Sequence, residues 1–128
     1  MTNVTATATG GTFNRGVSNQ SSSSPSMNNV TATATGGGST NYGVSNTSSS
    51  PSMTNVTATA TDGTINVGVR NYSSSPTIRN SSITGTTNSI FNSGSTAQVA
   101  DSMLDGLRDG NGIFCVGVYD ESFAQIIC

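Results

Sequence analysis

Three consecutive stretches of the sequence can be laid over one another almost unchanged: MTNVTATATGGTFNRGVSNQSSSSPS from Met1, MNNVTATATGGGSTNYGVSNTSSSPS from Met27 and MTNVTATATDGTINVGVRNYSSSPT from Met53. A degenerate fourth unit begins at Ile78 and a fifth near Met103. A period of about 26 residues belongs to solenoids, propellers and arrays. Helical solenoids are excluded, because no 3.6-residue apolar period is present. The strict alternation Val4-Thr5-Ala6-Thr7-Ala8-Thr9 is a strand signature, and Gly10-Gly11 closes it with a turn. A propeller blade needs about 40 residues and an aromatic set that is absent here. The repeat therefore predicts an all-β chain: a right-handed parallel β-helix, or solenoid, of four to five coils with about 26 residues per coil. Residues 1–100 read as repetitive coils and 101–128 as a C-terminal capping coil, within one structural domain. Met1 falls on a repeat position shared with Met27 and Met53, so the expectation is a chain cut at a repeat boundary or lacking an upstream signal.

Stacked coils turn each repeated residue into a column. Met1, Met27, Met53, Ile78 and Met103 are expected to form one apolar column and Val4, Val30 and Val56 another. Phe13, Ile65, Phe91 and Phe114 read as a third, and Val17, Val44, Val69 and Val118 as a fourth. Ala6, Ala8 and their repeats let the walls of the solenoid approach closely. Asparagine supplies three ladders: Asn3-Asn29-Asn55-Asn80, Asn14-Asn41-Asn66-Asn92 and Asn19-Asn46-Asn71. A stacked Asn pairs with the backbone and with the Asn above it, and it tolerates the left-handed backbone of a bend. Many of these Asn lie in N-x-[ST] sequons, but ladder stacking leaves no room for a glycan. Gly16, Gly43, Gly68, Gly94 and Gly117 recur beside the second ladder, where a Cβ is expected to clash. The serine runs before Pro25, Pro51 and Pro76 read as coil corners.

The segments SSSPSMNN, SSSPSMTN and Ser73 to Asn80 resemble repeats of bacterial right-handed parallel β-helices of the pectate-lyase-like superfamily. Taken whole, with its VTATATGG repeats and its closing CVGVYD coil, the chain resembles the threonine-rich members of that group. Some of these are antifreeze-like and are proposed to bind ice or gas clathrate. The resemblance implies a β-helix and suggests a non-enzymatic surface activity.

The residues make the same suggestion from the bottom up. With Val4, Ala6 and Ala8 inward, Thr5, Thr7 and Thr9 point outward. The next coils add Thr31, Thr33 and Thr35, then Thr57, Thr59 and Thr61, and the fourth continues imperfectly with Ser82, Thr84 and Thr86. Such a lattice of hydroxyls and methyls has spacings of roughly 4.7–4.8 Å between coils and about 6.7 Å along a strand. Threonine has few rotamers, so the array is stiff before it binds anything. The expected partner is an ice or gas-clathrate surface, bound on a face free of charge. A structural cell-surface or fibre module, and non-catalytic carbohydrate binding on Tyr42, Tyr72 or Tyr119, are the competing readings.

Composition removes other classes. Charged residues are 8% of the chain, against roughly 25% in an ordinary soluble domain. The net charge of −2 supplies no field for nucleic acid or an anionic membrane. With no His the usual general base is missing, and the first three coils hold one acid, Asp62, so no catalytic residue is assigned. The string from Asp105 through Asp109 to Asn111 lacks the alternation and terminal Glu of a calcium loop, and no Lys follows the Gly pairs; no metal or cofactor is expected.

Cys115 and Cys128 are the only cysteines, with Cys115 in the register of the second Asn ladder. Compartment logic offers a disulfide in an exported protein, secreted or at the cell surface, or two reduced thiols in the cytosol. The bulky apolar residues of Ile113–Tyr119 and Phe123–Ile127 read as the cap. The first coil has no such cover, and its open edge predicts a neighbouring coil or a homodimer.

Overall fold

The computed structural model describes residues 1–128. The chain is all strand and turn, wound as a parallel β-solenoid of about four turns. Its first three coils are β1 (Thr2–Thr9) with β2 (Phe13–Gln20), β3 (Ser26–Thr35) with β4 (Thr40–Thr47), and β5 (Ser52–Thr61) with β6 (Ile65–Tyr72). The later coils are β7 (Thr77–Arg79) with β8 (Ser82–Ser93), then β9 (Ala97–Ala100) with β10 (Met103–Asp109). The chain closes with β11 (Ile113–Val116), β12 (Val118–Tyr119) and β13 (Gln125–Ile126).

Identical residues stack. Val4 pairs with Val30 and Val30 with Val56, while Ala6, Ala32 and Ala58 form the adjoining inner row. Met27, Met53 and Ile78 continue as one buried column. Each of the first three coils turns at three left-handed points, one of them at Gly10, Gly36 or Asp62, with φ of 77°, 81° and 63°. The first is an asparagine: Asn3, Asn29, Asn55 and Asn80 have φ of 54°, 53°, 53° and 48°. The Asn29 amide donates to Asn3 Oδ1 at 3.0 Å, and Asn55 to Asn29 at 3.1 Å. Another is the serine corner, where Ser48 and Ser73 share φ 50°. There the backbone N–H of Ser49 donates to Ser74 Oγ, and that of Ser74 to Ser95 Oγ. Hydroxyls thus take over ladder bonds that a corner backbone cannot make for itself.

The interior is thin because two small-residue rows face each other. A Cβ on Gly43 would lie 2.8 Å from Thr59 N, 3.1 Å from Ala58 C and 2.7 Å from Gly68 O. Gly16 meets Thr33 N and Ala32 in the same way, at 2.7 and 2.9 Å. The glycine row of β2, β4 and β6 is therefore the floor on which the alanine row of β1, β3 and β5 rests. Gly94 and Gly117 do not belong to this row. Their φ values of 57° and 62° put them at the serine corner and the asparagine bend respectively, and Ser89 follows Gly68 in register between Asn88 and Ile90.

Several columns depart from expectation after the third coil. Ladder partners lie 26 and 25 residues apart in the first coils but 21 apart across the fourth. The cause is local: β8 runs through Ser82–Ser93 where earlier coils break into two strands around a Gly turn. As a result Ile78 stacks on Val99, not Met103, which pairs with Ser82 instead. Val69 stacks on Ile90, while Val118 pairs with Ile126. Asn92 joins the third ladder, accepting from Asn71 at 2.8 Å, rather than the second.

The phenylalanine column is not core at all. Phe13 pairs with Thr40, which pairs with Ile65, and Phe13 and Phe114 are 63% and 60% exposed. The inward neighbours are Asn14, Asn41 and Asn66, so alternation sends the bulky residue outward.

Cys115 pairs with Val99, so it extends the methionine column rather than an Asn ladder. It is disulfide-bonded to Cys128, with Cα atoms 5.3 Å apart. The antiparallel pair of β12 and β13 buries Val118 and Ile126 across the end of the core. At the other end, Val4, Ala6 and Ala8 are only half-buried where Val30, Ala32 and Ala34 are enclosed. Replacing Cys128 by Ser is expected to lower stability by about 3 kcal/mol on the chain-entropy estimate for this loop. Amide exchange should then show β12 and β13 losing protection while β3 and β5 keep theirs.

Candidate functional site

The threonine face is built on β1, β3, β5 and the first part of β8. Its register is unbroken: Thr5-Thr31-Thr57, Thr7-Thr33-Thr59 and Thr9-Thr35-Thr61 are aligned columns. The first column continues to Ser82 and the second to Thr84. Alternation decides which way these side chains point. Ala32, Ala34, Ala58 and Ala60 are fully buried, and the threonines between them are exposed or half-buried on the outside. The glycine floor beneath holds the strand backbones of the face at fixed depth, so the outer surface is supported from within.

Thr86 stands apart from the array. Its hydroxyl accepts from the Asn66 amide at 2.8 Å, and the neighbouring Thr87 hydroxyl accepts from the Asn66 backbone N–H at 2.9 Å. In the shortened coil these two hydroxyls replace the missing asparagine rung. The ordered lattice therefore consists of Thr5, Thr7, Thr9, Thr31, Thr33, Thr35, Thr57, Thr59, Thr61 and Thr84, with Ser82 at the end of the first column.

The face is not free of charge at its rim. Asp62 Oδ2 accepts from the Thr35 hydroxyl at 2.6 Å and from Thr61 at 3.1 Å. These two donated protons, Thr35's first, hold the Asp62 carboxyl below its ordinary 3.8, against a small opposing effect of burial. Asp62 takes the position that Gly10 and Gly36 occupy in the earlier repeats, so its tie to the third column could have been suspected from the sequence. The second column also runs into an acid, since Thr84 pairs with Asp105. The uncharged part of the lattice is bounded by Asp62 on one side and Asp105 at the far end.

A folded pKa below the unfolded one makes the Asp62 contribution present above the ordinary carboxylate value and lost as pH falls through the lowered value. In an NMR titration of the side-chain carboxyl, the Asp62 midpoint is expected below 3.8 and should rise in Thr35→Val. A wild-type midpoint at or above 3.8 would contradict the hydrogen-bonded rim.

No protein-family model matches the sequence, and neither curated proteins nor solved structures give a match.

Proposed function

We propose that the threonine face adsorbs to an ordered water lattice, ice or gas clathrate, and so inhibits growth of the crystal without enzymatic chemistry. The observation that carries this reading is the exact-register array of three threonine columns over three successive coils. Repetition along two axes suits a partner that is itself periodic, whereas a single soluble ligand would use only a fragment of it. Column and row spacings of about 4.8 and 6.7 Å follow from strand geometry alone. Threonine methyls can hold water in cage-like order while the hydroxyls anchor it. Stiff χ1 angles and the glycine floor mean that little motion is lost on adsorption.

The reading follows the resemblance to threonine-rich, antifreeze-like members of the pectate-lyase-like β-helices. The disulfide fits an oxidising compartment, and hence an exported protein. The direct test is growth of single ice crystals and of methane clathrate in the presence of the purified protein. Slowed, faceted growth of one or both is expected. Growth of both at the rate seen with an inert protein at equal concentration would remove the proposal.

A further inference from the structure

The third repeat departs from the first two at the edge of the threonine face. Asp62 follows Thr61 where Gly10 follows Thr9 and Gly36 follows Thr35. All three positions are left-handed, so the departure changes the chemistry of the turn and not its path. That chemistry reaches across coils. Asp62 Oδ2 accepts from Thr61 beside it at 3.1 Å and from Thr35, one coil earlier, at 2.6 Å. The two hydroxyl oxygens lie 3.1 Å from each other. A threonine hydroxyl has one proton to give, so both protons are spent inside the protein. The columns that run through Thr5 and Thr7 are different, because their hydroxyls have no partner within the chain. Thr84 stands in register beside an acid, Asp105, yet donates nothing to it. Asp62 is therefore the one acid that engages the lattice directly.

We propose that Asp62 is a positioning residue that narrows the adsorbing face, by withholding the Thr35 and Thr61 hydroxyls from the water lattice; this rests on the lattice reading above. Two effects act together. In ice and in clathrate every water both donates and accepts, but the two tied hydroxyls can only accept from it. The carboxylate itself accepts only, so each water it holds turns a proton toward it, an order that the crystal cannot continue. Bonding to a single carboxylate oxygen also selects the χ1 rotamers of Thr35 and Thr61, so the third column offers the lattice methyls more than hydroxyls. Thr9 is followed by Gly10 and keeps a free hydroxyl, which confines the narrowing to the two coils that Asp62 touches. The columns through Thr5 and Thr7 are left to anchor the water layer, and the glycine of the earlier repeats is the residue that would widen the face again.

The test compares variants by the growth rate of single ice crystals and of methane clathrate over a range of protein concentrations. Asp62→Gly places glycine at a left-handed position that suits it, so circular dichroism should remain β-rich. This variant is expected to match wild-type inhibition at about fivefold lower concentration, the gain from freeing two hydrogen-bonding groups. Thr35→Val removes a hydroxyl and keeps the branched shape. In the wild-type background it should leave inhibition unchanged, and in the Asp62→Gly background it should cancel much of the gain. Thr33→Val should weaken inhibition in both backgrounds. A merely structural role for Asp62 gives the opposite pattern: a loss on substitution, with no dependence on Thr35. Inhibition by Asp62→Gly no stronger than wild type would overturn the assignment and leave the lattice reading standing. So would a wild-type background in which Thr35→Val is as harmful as Thr33→Val. A wild-type protein that slows neither crystal would remove both.

Discussion

Thr33→Lys is expected to remove most inhibition of ice or clathrate growth while leaving the β-rich circular dichroism spectrum intact. Thr33 is the centre of the lattice, with Thr7 and Thr59 above and below it and Thr31 and Thr35 along its own strand. Its side chain points outward and makes no hydrogen bond that holds the coil together, so the cost to stability should stay within about 0.5 kcal/mol. The cost to adsorption is different in kind. Binding to a periodic surface sums many weak contacts made simultaneously, and its strength collapses when the geometry forbids simultaneous engagement. A long, strongly hydrated ammonium at the centre lifts the whole face from the lattice, so a loss of tenfold or more is expected, of the order that multivalent gains represent. Ser52→Lys adds the same charge on an exposed position of β5 outside the array and should leave inhibition unchanged. Full activity in Thr33→Lys, measured as the growth rate of single crystals, would show that another surface is responsible.

Asn46→Ala should damage the fold far more than a substitution in the outer asparagine row. Asn46 is fully buried, accepts from Asn19 at 2.9 Å and donates to Asn71 at 2.9 Å. Alanine leaves the buried Asn71 Oδ1 without a donor and the Asn19 amide with only the Met27 sulfur at 3.5 Å; at about 1–3 kcal/mol for each loss, a total near 3 kcal/mol is expected. Asn29→Gly deletes rungs of the same kind on the exposed ladder, where water can replace them, and glycine accepts the φ of 53°. Its cost should be below about 1 kcal/mol. Urea midpoints of the two variants check the contrast. Equal losses would mean that the buried ladders are no more important than the outer one.

How far the sequence reaches depends on whether a local rule fixes each answer. The VTATAT alternation carries its own parity, and the following Gly or Asp-Gly fixes where the strand stops, so the columns from Thr5 to Thr61 follow directly. The asparagine bend is equally local, because left-handed backbone at Asn3, Asn29 and Asn55 has few other tenants. The same parity, applied to β2, would have turned Phe13 outward once Asn14 was placed inside; Thr40 between Phe13 and Ile65 was a further sign. Residue type alone, without parity, suggests a phenylalanine column that parity excludes. Beyond Ile78 the coil shortens by losing its Gly turn, and a fixed period then misplaces Met103, Asn92, Val118 and Cys115 together. The role of Thr86 and Thr87 as substitutes for an asparagine was hidden for the same reason. On the outer side of β2, β4 and β6, Arg15 and Arg70 share the Tyr42 ring and Arg70 also lies over Tyr72; this cluster depends on three-coil register plus side-chain lean, which no single repeat displays.

The two interior asparagine rows also give the solenoid a direction. Asn14 donates to Asn41 and Asn41 to Asn66, while Asn19, Asn46 and Asn71 donate in turn to Asn46, Asn71 and Asn92. Every amide dipole in these rows points the same way along the axis, and the buried links polarise one another. The outer row runs oppositely, from Asn55 to Asn29 to Asn3. Such a stack can be lengthened only by translation: a coil added head to tail finds a waiting acceptor or donor, whereas one added in mirror fashion meets oxygen with oxygen or amide with amide.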